Sequence, residues 1–163
     1  MKFIIKIIYD VLLDKVVKVL GITLVLVILL QIGGRYLLTL PFSWTEELAR
    51  FLFIWFAFLG SVITLRSKMH LGIEFFYQKL KPKSKRSVDI FIQLVILFFG
   101  VLIAKYGFQL VELGEISKSP VLRWPMSYFY LSIPITGILF AIYSFYSLLT
   151  LFKTPAESSK VEG

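Results

Sequence analysis

Four long runs without a charged side chain dominate this sequence and limit what it can fold into. The runs cover residues 19–34, 51–65, 90–104 and 124–152. A straight membrane-spanning helix needs roughly 20 mainly apolar residues, and Lys or Arg at the ends of a shorter run can reach up to the membrane surface. Hydrophobic residues make up 58% of the chain and charged residues 17%, which is far from the balance of a soluble globular domain.

We therefore predict an all-α membrane protein with four transmembrane helices and a short interfacial amphipathic helix. The predicted spans are about 16–38, 44–66, 87–112 and 125–152, and they form one membrane domain over residues 1–152. The tail 153–163 is predicted to be disordered and cytoplasmic. Residues 1–18 set four lysines against apolar residues, as in a segment that lies on an anionic membrane surface before the first span begins.

The interfacial helix is predicted at about 70–81, between the second and third spans. His70, Glu74 and Gln78 repeat every four residues, and Pro82 ends the pattern. Basic residues cluster at the end of this helix and between it and the third span, where phosphates of membrane phospholipid are their expected partners. These lipid-contact candidates are Lys79, Lys81, Lys83, Lys85 and Arg86.

The distribution of Lys and Arg predicts the topology. Thirteen of the 18 basic residues lie at the two termini and between spans two and three. Cytoplasmic segments carry the excess of Lys and Arg, so both termini are predicted to be cytoplasmic. The same distribution accounts for the net charge of +8 without nucleic acid as a partner.

Several kinds of chemistry are excluded or disfavoured by composition. The chain has no Cys and a single His, so disulfides and thiolate metal sites are excluded, and a two-histidine haem site cannot form. No nucleophile, base and orienting group occur in a recognisable arrangement. We expect no enzyme activity, no catalytic residue, no cofactor and no metal.

The second span begins with a cluster of ionisable residues. Ser43 and Glu46 match a capping box, and Glu46 and Glu47 suit the positive end of a helix dipole. Arg50 follows them by four and three residues, so it can reach either carboxylate. The cluster fits a self-neutralised helix end, and it also fits a contact with another protein.

Small residues recur at helical spacing in three spans. The second span carries such a stripe, and the residues on its other side are bulky. In a membrane, a stripe of small residues lets a second helix approach closely. Pro134, inside the fourth span, is expected to kink it. The stripes are Ala57, Gly60, Ser61 and Thr64; then Gly100, Ala104, Gly107 and Gly114; then Pro134, Gly137, Ala141 and Ser144.

The second span and the residues after it also resemble a known family. The pattern consists of Trp44, Glu46, Glu47, Arg50, Trp55, Phe58, Gly60, Arg66 and His70, with Glu74 four residues later. It is similar to the small membrane subunit, the Q type, of tripartite ATP-independent periplasmic (TRAP) transporters. The family's last acidic position is more often Asp, so Glu74 is a mild departure.

The resemblance implies a multi-pass protein of the bacterial inner membrane that acts as a scaffold. Its implied partners are a large multi-span M subunit with an elevator-type transport domain and a periplasmic substrate-binding protein. The implied activity is sodium-coupled uptake of organic acids such as C4-dicarboxylates or sialic acids.

Two sets of site residues follow. The first, for the large-subunit interface or a structural motif, is Trp44, Glu46, Glu47, Arg50, Trp55, Ala57, Gly60, Ser61, Thr64, Arg66 and His70. The second, for docking of the binding protein, is Arg35, Lys118 and Arg123. Arg66 and His70 also fit a simple interfacial anchor, or proton sensing by the histidine.

Two other functions stay open from the residues alone. A standalone small multidrug-type exporter is disfavoured because the first span has no acidic residue. A membrane anchor for a redox enzyme is disfavoured because only one His is present.

Overall fold

The computed structural model describes residues 7–37, 43–66 and 82–153, and this part of the chain is helical except for the connection between residues 116 and 127 and the single residue 131. A π-helical segment, Ile7–Leu13, leads directly into α1 (Asp14–Leu37). The other helices are α2 (Ser43–Arg66), α3 (Pro82–Ile116), the short α4 (Ser127–Tyr130) and α5 (Ser132–Lys153). No strand occurs in these ranges, only an isolated bridge between Lys118 and Pro125.

Four segments of this part are long and apolar enough to cross a membrane, namely Val11–Tyr36, Ser43–Leu65, Ser84–Ile116 and Ser127–Phe152. The predicted all-α, four-span architecture is therefore confirmed. The predicted interfacial helix at 70–81, with His70, Lys79 and Lys81, lies outside the described residues. So does the tail after residue 153.

The segment before α1 packs into the core, which differs from the surface position expected for residues 1–18. Tyr9 is only 3% exposed, and its hydroxyl donates a 2.7 Å hydrogen bond to the carbonyl oxygen of Leu139 in α5. Leu13 and Val17 are buried with it. Because residues 9, 13 and 17 share one helical face, this face is apolar enough to pack on α2 and α5.

The four long helices pack in the order α1, α2, α5, α3, so α1 and α3 lie at the two ends of a row. The α1 and α2 helices meet where Gly21 faces the ring of Phe56 and where Val17 meets Leu59 and Val62. Exposed residues on α1 and α3 are mostly bulky and apolar, as expected for surfaces that face lipid.

The closest contact is between α3 and α5, where two of the small stripes meet. A Cβ atom on Gly137 would lie 2.6 Å from the backbone nitrogen of Ala104 and 2.7 Å from the carbonyl oxygen of Gly100. Likewise, a Cβ on Gly107 would lie 2.8 Å from Pro134. Both stripes are therefore used inside the chain to bring two backbones together.

The fourth membrane segment is interrupted at Leu131, between α4 and α5. Pro134 lies in the first turn of α5, a position that proline favours because the N–H it lacks would have no helical partner there. A kink was expected at Pro134 inside the fourth span, and the interruption of that span lies three residues before it, at Leu131. Pro125 lies two residues before the start of α4.

Candidate functional site at the start of α2

The α2 helix has one face that packs in the chain and one that does not. Phe51, Leu59 and Val62 are buried. The opposite face is exposed from the first turn to the last, and its members recur every three or four residues. This face, called the α2 ridge here, comprises Glu46, Arg50, Phe53, Ala57, Gly60, Ser61 and Thr64, of which Gly60 is half-buried and the others are exposed.

The C-terminal part of the α2 ridge, from Ala57 to Thr64, carries only small side chains. The Ser61 hydroxyl donates to the carbonyl oxygen of Phe58 at 2.6 Å, and the Thr64 hydroxyl donates to that of Gly60 at 3.1 Å. Both hydroxyl protons are thus used within the helix. The surface can therefore receive another helix closely without leaving a donor unsatisfied.

The N-terminal part of the α2 ridge carries an ion pair between Glu46 and Arg50. A guanidinium nitrogen of Arg50 lies 3.3 Å from Oε1 of Glu46, and the two side chains are 67% and 65% exposed. An exposed pair of this kind contributes about 0–1 kcal/mol to stability. The pair neutralises the helix start as the sequence indicated, and it is also accessible to a partner.

Glu47 behaves differently from its neighbour Glu46. It is only 6% exposed, and its Oε2 accepts hydrogen bonds from the backbone N–H groups of Val121 at 3.0 Å and Leu122 at 2.8 Å. Sequence reasoning placed Glu47 with Glu46 and Arg50 and missed this role. No local signal could reveal it, because the two donors are more than 70 residues away along the chain.

The segment that Glu47 holds is the loop 117–126, between α3 and α4. Backbone hydrogen bonds close the loop on itself, from Ser119 N–H to the Trp124 oxygen at 2.8 Å and from Met126 N–H to the Ser117 oxygen at 2.9 Å. The hydroxyl oxygen of Ser119 accepts from the Trp124 N–H at 3.2 Å. Arg123 has a left-handed φ of 59°. The loop is therefore closed and braced against α2.

Aromatic side chains of α2 contact α4, the helix that follows this loop. The indole N–H of Trp55 donates to the carbonyl oxygen of Tyr128 at 3.1 Å, and the rings of Phe51 and Phe129 stack. An open apolar groove of about 630 Å³ lies beside them, and Leu48, Leu52, Trp124 and Tyr128 complete its lining. Trp55 thus acts within the chain, as a tie between two helices.

Trp55→Phe is expected to lower the stability of the chain by about 1 kcal/mol, because it removes one hydrogen bond between elements far apart in sequence. Thermal unfolding of the detergent-solubilised protein measures the effect. Trp124→Phe is the matched control, since it makes the same change of ring in the wall of the same groove. Equal unfolding temperatures for the two variants would contradict a role for the indole N–H.

The remaining predicted residues are spread over the molecule. Trp44, Arg35, Lys118 and Arg123 are exposed. Arg66 is the last residue of α2. Lys83 and Lys85 lie in the first turn of α3.

Arg86 has a contact within the chain that the prediction of lipid binding did not include. Its guanidinium donates to the carbonyl oxygen of Leu151 at 2.9 Å. A cation suits the C-terminal end of α5, where carbonyl groups lack helical partners.

The residues that the structure describes contain no cluster of candidate metal ligands. Among these residues no three His, Asp or Glu side chains lie together in a way that could hold a metal ion. What the α2 region offers is a shaped surface, an ion pair and a braced loop, which suit contacts with other proteins.

Comparison with known proteins gives one family. The profile of the DctQ component of tripartite ATP-independent periplasmic transporters matches residues 24–154. The sialic acid TRAP transporter small permease protein SiaQ of Vibrio cholerae is 29% identical over 76% of this chain and 71% of its own length. The C4-dicarboxylate TRAP transporter small permease protein DctQ of Rhodobacter capsulatus is 35% identical over 56% of this chain and 41% of its own length.

The sialic acid TRAP transporter permease protein SiaT of Haemophilus influenzae is also similar, at 27% identity over 69% of this chain. The match covers only 18% of that longer protein. The family match extends from the middle of α1 to the end of α5, so it covers the second half of the first span and all of the other three. This chain therefore belongs to the DctQ components of tripartite ATP-independent periplasmic transporters and is a multi-pass protein of the inner membrane.

Proposed function

We propose that this chain is the small scaffold subunit of a sodium-coupled, binding-protein-dependent secondary transporter for organic acids of the C4-dicarboxylate or sialic acid type. In this role it braces a large elevator-type M subunit and helps to dock a periplasmic binding protein. Family membership supports the proposal, as do relatives named for sialic acid and C4-dicarboxylate transport.

The α2 ridge is the observation that carries the proposal. Two of the three small stripes pack against each other in α3 and α5. The stripe of α2 is exposed at Ala57, Ser61 and Thr64, and Gly60 within it is half-buried. A bulky apolar surface suits lipid, whereas a small surface suits close contact with another helix. We assign the α2 ridge to a helix of the M subunit.

In our proposal, the Glu46–Arg50 ion pair at the N-terminal end of the α2 ridge sets the orientation of this contact. Charged groups at an interface fix which partner binds, and in which register, more than they add affinity. The SiaT relative continues far beyond the region matched by this chain, which supports a small unit that works beside a larger permease.

Replacement of Arg50 tests the assignment. Arg50→Ala leaves the Glu46 carboxylate without its counter-charge at the interface, so we expect the amount of M subunit that co-purifies with the chain to fall about fivefold or more. Membrane insertion of the chain itself should not change. Quantitative immunoblotting of the membrane fraction and of the affinity-purified complex measures both.

Lys105→Ala is the control, because Lys105 is an exposed cation on α3, at the far end of the row. Normal recovery of the M subunit with Arg50→Ala would contradict the assignment of the ridge. Transport of a solute by the purified chain alone in liposomes would contradict the scaffold function itself.

A further inference from the structure

Glu47 makes contacts that the start of α2 does not require. Glu46 already supplies a carboxylate for the helix dipole and for Arg50. Glu47 instead points one carboxylate oxygen at two consecutive backbone N–H groups of the loop 117–126. Consecutive N–H groups that converge in this way form an anion-binding concavity. The chain fills it with its own buried carboxylate.

The loop 117–126 is held in a shape that its residues do not strongly favour. Arg123 adopts a left-handed conformation, which is uncommon for a residue other than glycine. Strained backbone of this kind persists when its surroundings hold it, and it is frequent at functional sites. Glu47 bonds to residues 121 and 122, immediately before Arg123, so it acts on the strained part of the loop.

The outer surface of this loop is cationic. Lys118 and Arg123 are both exposed, and the segment 117–126 contains no acidic residue. The only carboxylate bonded to this segment in the described part of the chain, Glu47, is buried beneath it. The exposed charges of the loop itself are therefore positive, and the nearest exposed carboxylate along the chain is Glu115, at the end of α3. A positive loop suits an acidic patch on a soluble partner.

We infer that Glu47 is a positioning residue, which pre-forms the loop 117–126 so that Lys118 and Arg123 present a rigid cationic docking surface to an acidic patch on the soluble binding protein. The inference rests on the proposed function, since it takes the binding protein as the partner. Glu47 acts through the loop and does not touch that partner. A loop already held in its bound shape loses less conformational entropy on docking.

The test uses the complete complex of this chain with its large subunit, reconstituted into proteoliposomes. Uptake of radiolabelled sialic acid and, in parallel, of succinate is measured while the concentration of binding protein is varied. We expect Glu47→Ala to raise the concentration of binding protein that gives half-maximal uptake about tenfold, as for the loss of one good interface contact. The maximal rate and the recovery of the M subunit should be unchanged.

Three further variants separate the positioning role of Glu47 from its charge and from a general effect of removing a carboxylate. Glu47→Gln keeps one oxygen that can accept both N–H groups, so its half-saturating concentration should stay close to that of the wild type. Ser119→Ala removes the acceptor for the Trp124 N–H and the side-chain hydrogen bond between Ser119 and Glu47, while the Glu47 carboxylate is kept. It should shift the value in the same direction as Glu47→Ala. Glu112→Ala, which removes an exposed carboxylate from α3, is the matched control and should behave as wild type.

Trypsin gives a readout of the loop that needs no partner, because it cleaves after Lys118 and Arg123. Cleavage in the loop should be several times faster in Glu47→Ala than in wild-type complex, since proteases cut segments that open. An unchanged cleavage rate together with an unchanged half-saturating concentration would overturn the inference. Loss of maximal rate together with loss of the M subunit would also overturn it, because Glu47 would then serve assembly.

Failure of the proposed function has a different signature. In that case the wild-type complex shows no uptake that depends on the binding protein, for either solute. The trypsin comparison then still decides whether Glu47 holds the loop.

Discussion

Gly137→Ala is expected to destabilise the chain markedly, although it adds only one methyl group. The new Cβ would lie 2.6 Å from the backbone nitrogen of Ala104 and 2.7 Å from the carbonyl oxygen of Gly100. Both contacts are with backbone, so no side-chain rotation can relieve them. Overpacking in a tight core costs about 3 kcal/mol, which exceeds the roughly 1 kcal/mol that alanine gains over glycine in a helix.

The measurement is thermal unfolding of the detergent-solubilised chain, followed by size-exclusion chromatography. Gly60→Ala is the matched control, because a Cβ there meets only a methyl group of Val17, at 4.0 Å. This control should leave the chain unchanged or stabilise it by up to about 1 kcal/mol. Equal unfolding temperatures for the two variants would show that α3 and α5 do not approach each other as closely as described.

Ala57→Leu is expected to leave the chain stable and to abolish most of its binding to the M subunit. Ala57 is exposed near the middle of the α2 ridge, and leucine is a good helix former. The larger side chain therefore disturbs nothing within the chain. It prevents close approach of a partner helix, and we expect at least about a tenfold loss of affinity, equivalent to 1.4 kcal/mol.

Co-purification of the M subunit at limiting detergent measures this loss. Thr23→Leu makes a similar small-to-large change on the exposed side of α1, where we expect lipid, and it should not affect recovery. If Ala57→Leu retained the M subunit as well as Thr23→Leu does, the M subunit would have to bind another face. The exposed face of α1 would then be the next to test.

Gly60 and Gly137 show how much of the helix packing could be predicted from the sequence. Gly60 and Gly137 both lie in stripes of small residues with helical spacing, and the spacing treats them alike. In the structure, Gly137 lies against the backbone of α3, whereas a Cβ on Gly60 would meet only a methyl group of Val17 in α1, at 4.0 Å. Spacing identifies a face that can be approached closely, but it does not say which helix approaches.

Glu46 and Glu47 show the same limit for charged residues. Their adjacency at a helix start predicts favourable dipole interactions for both, and their spacings of four and three from Arg50 allow either to pair with it. The structure pairs Arg50 with Glu46. Consecutive residues point about 100° apart around a helix. One carboxylate therefore reaches the exposed ridge and the other reaches the loop 117–126.

The sequence by itself determined the four spans, the helix start at residue 43, the placement of Arg50 within reach of Glu46 and Glu47, and the resemblance to the family, because each depends on residues close together in the chain. Only the tertiary structure decided that Tyr9 belongs to the core, that two small stripes pack against each other, and that Glu47 holds a loop. These are contacts between segments separated by dozens of residues. They depend on the order in which the helices pack, which periodicity along a single helix does not encode.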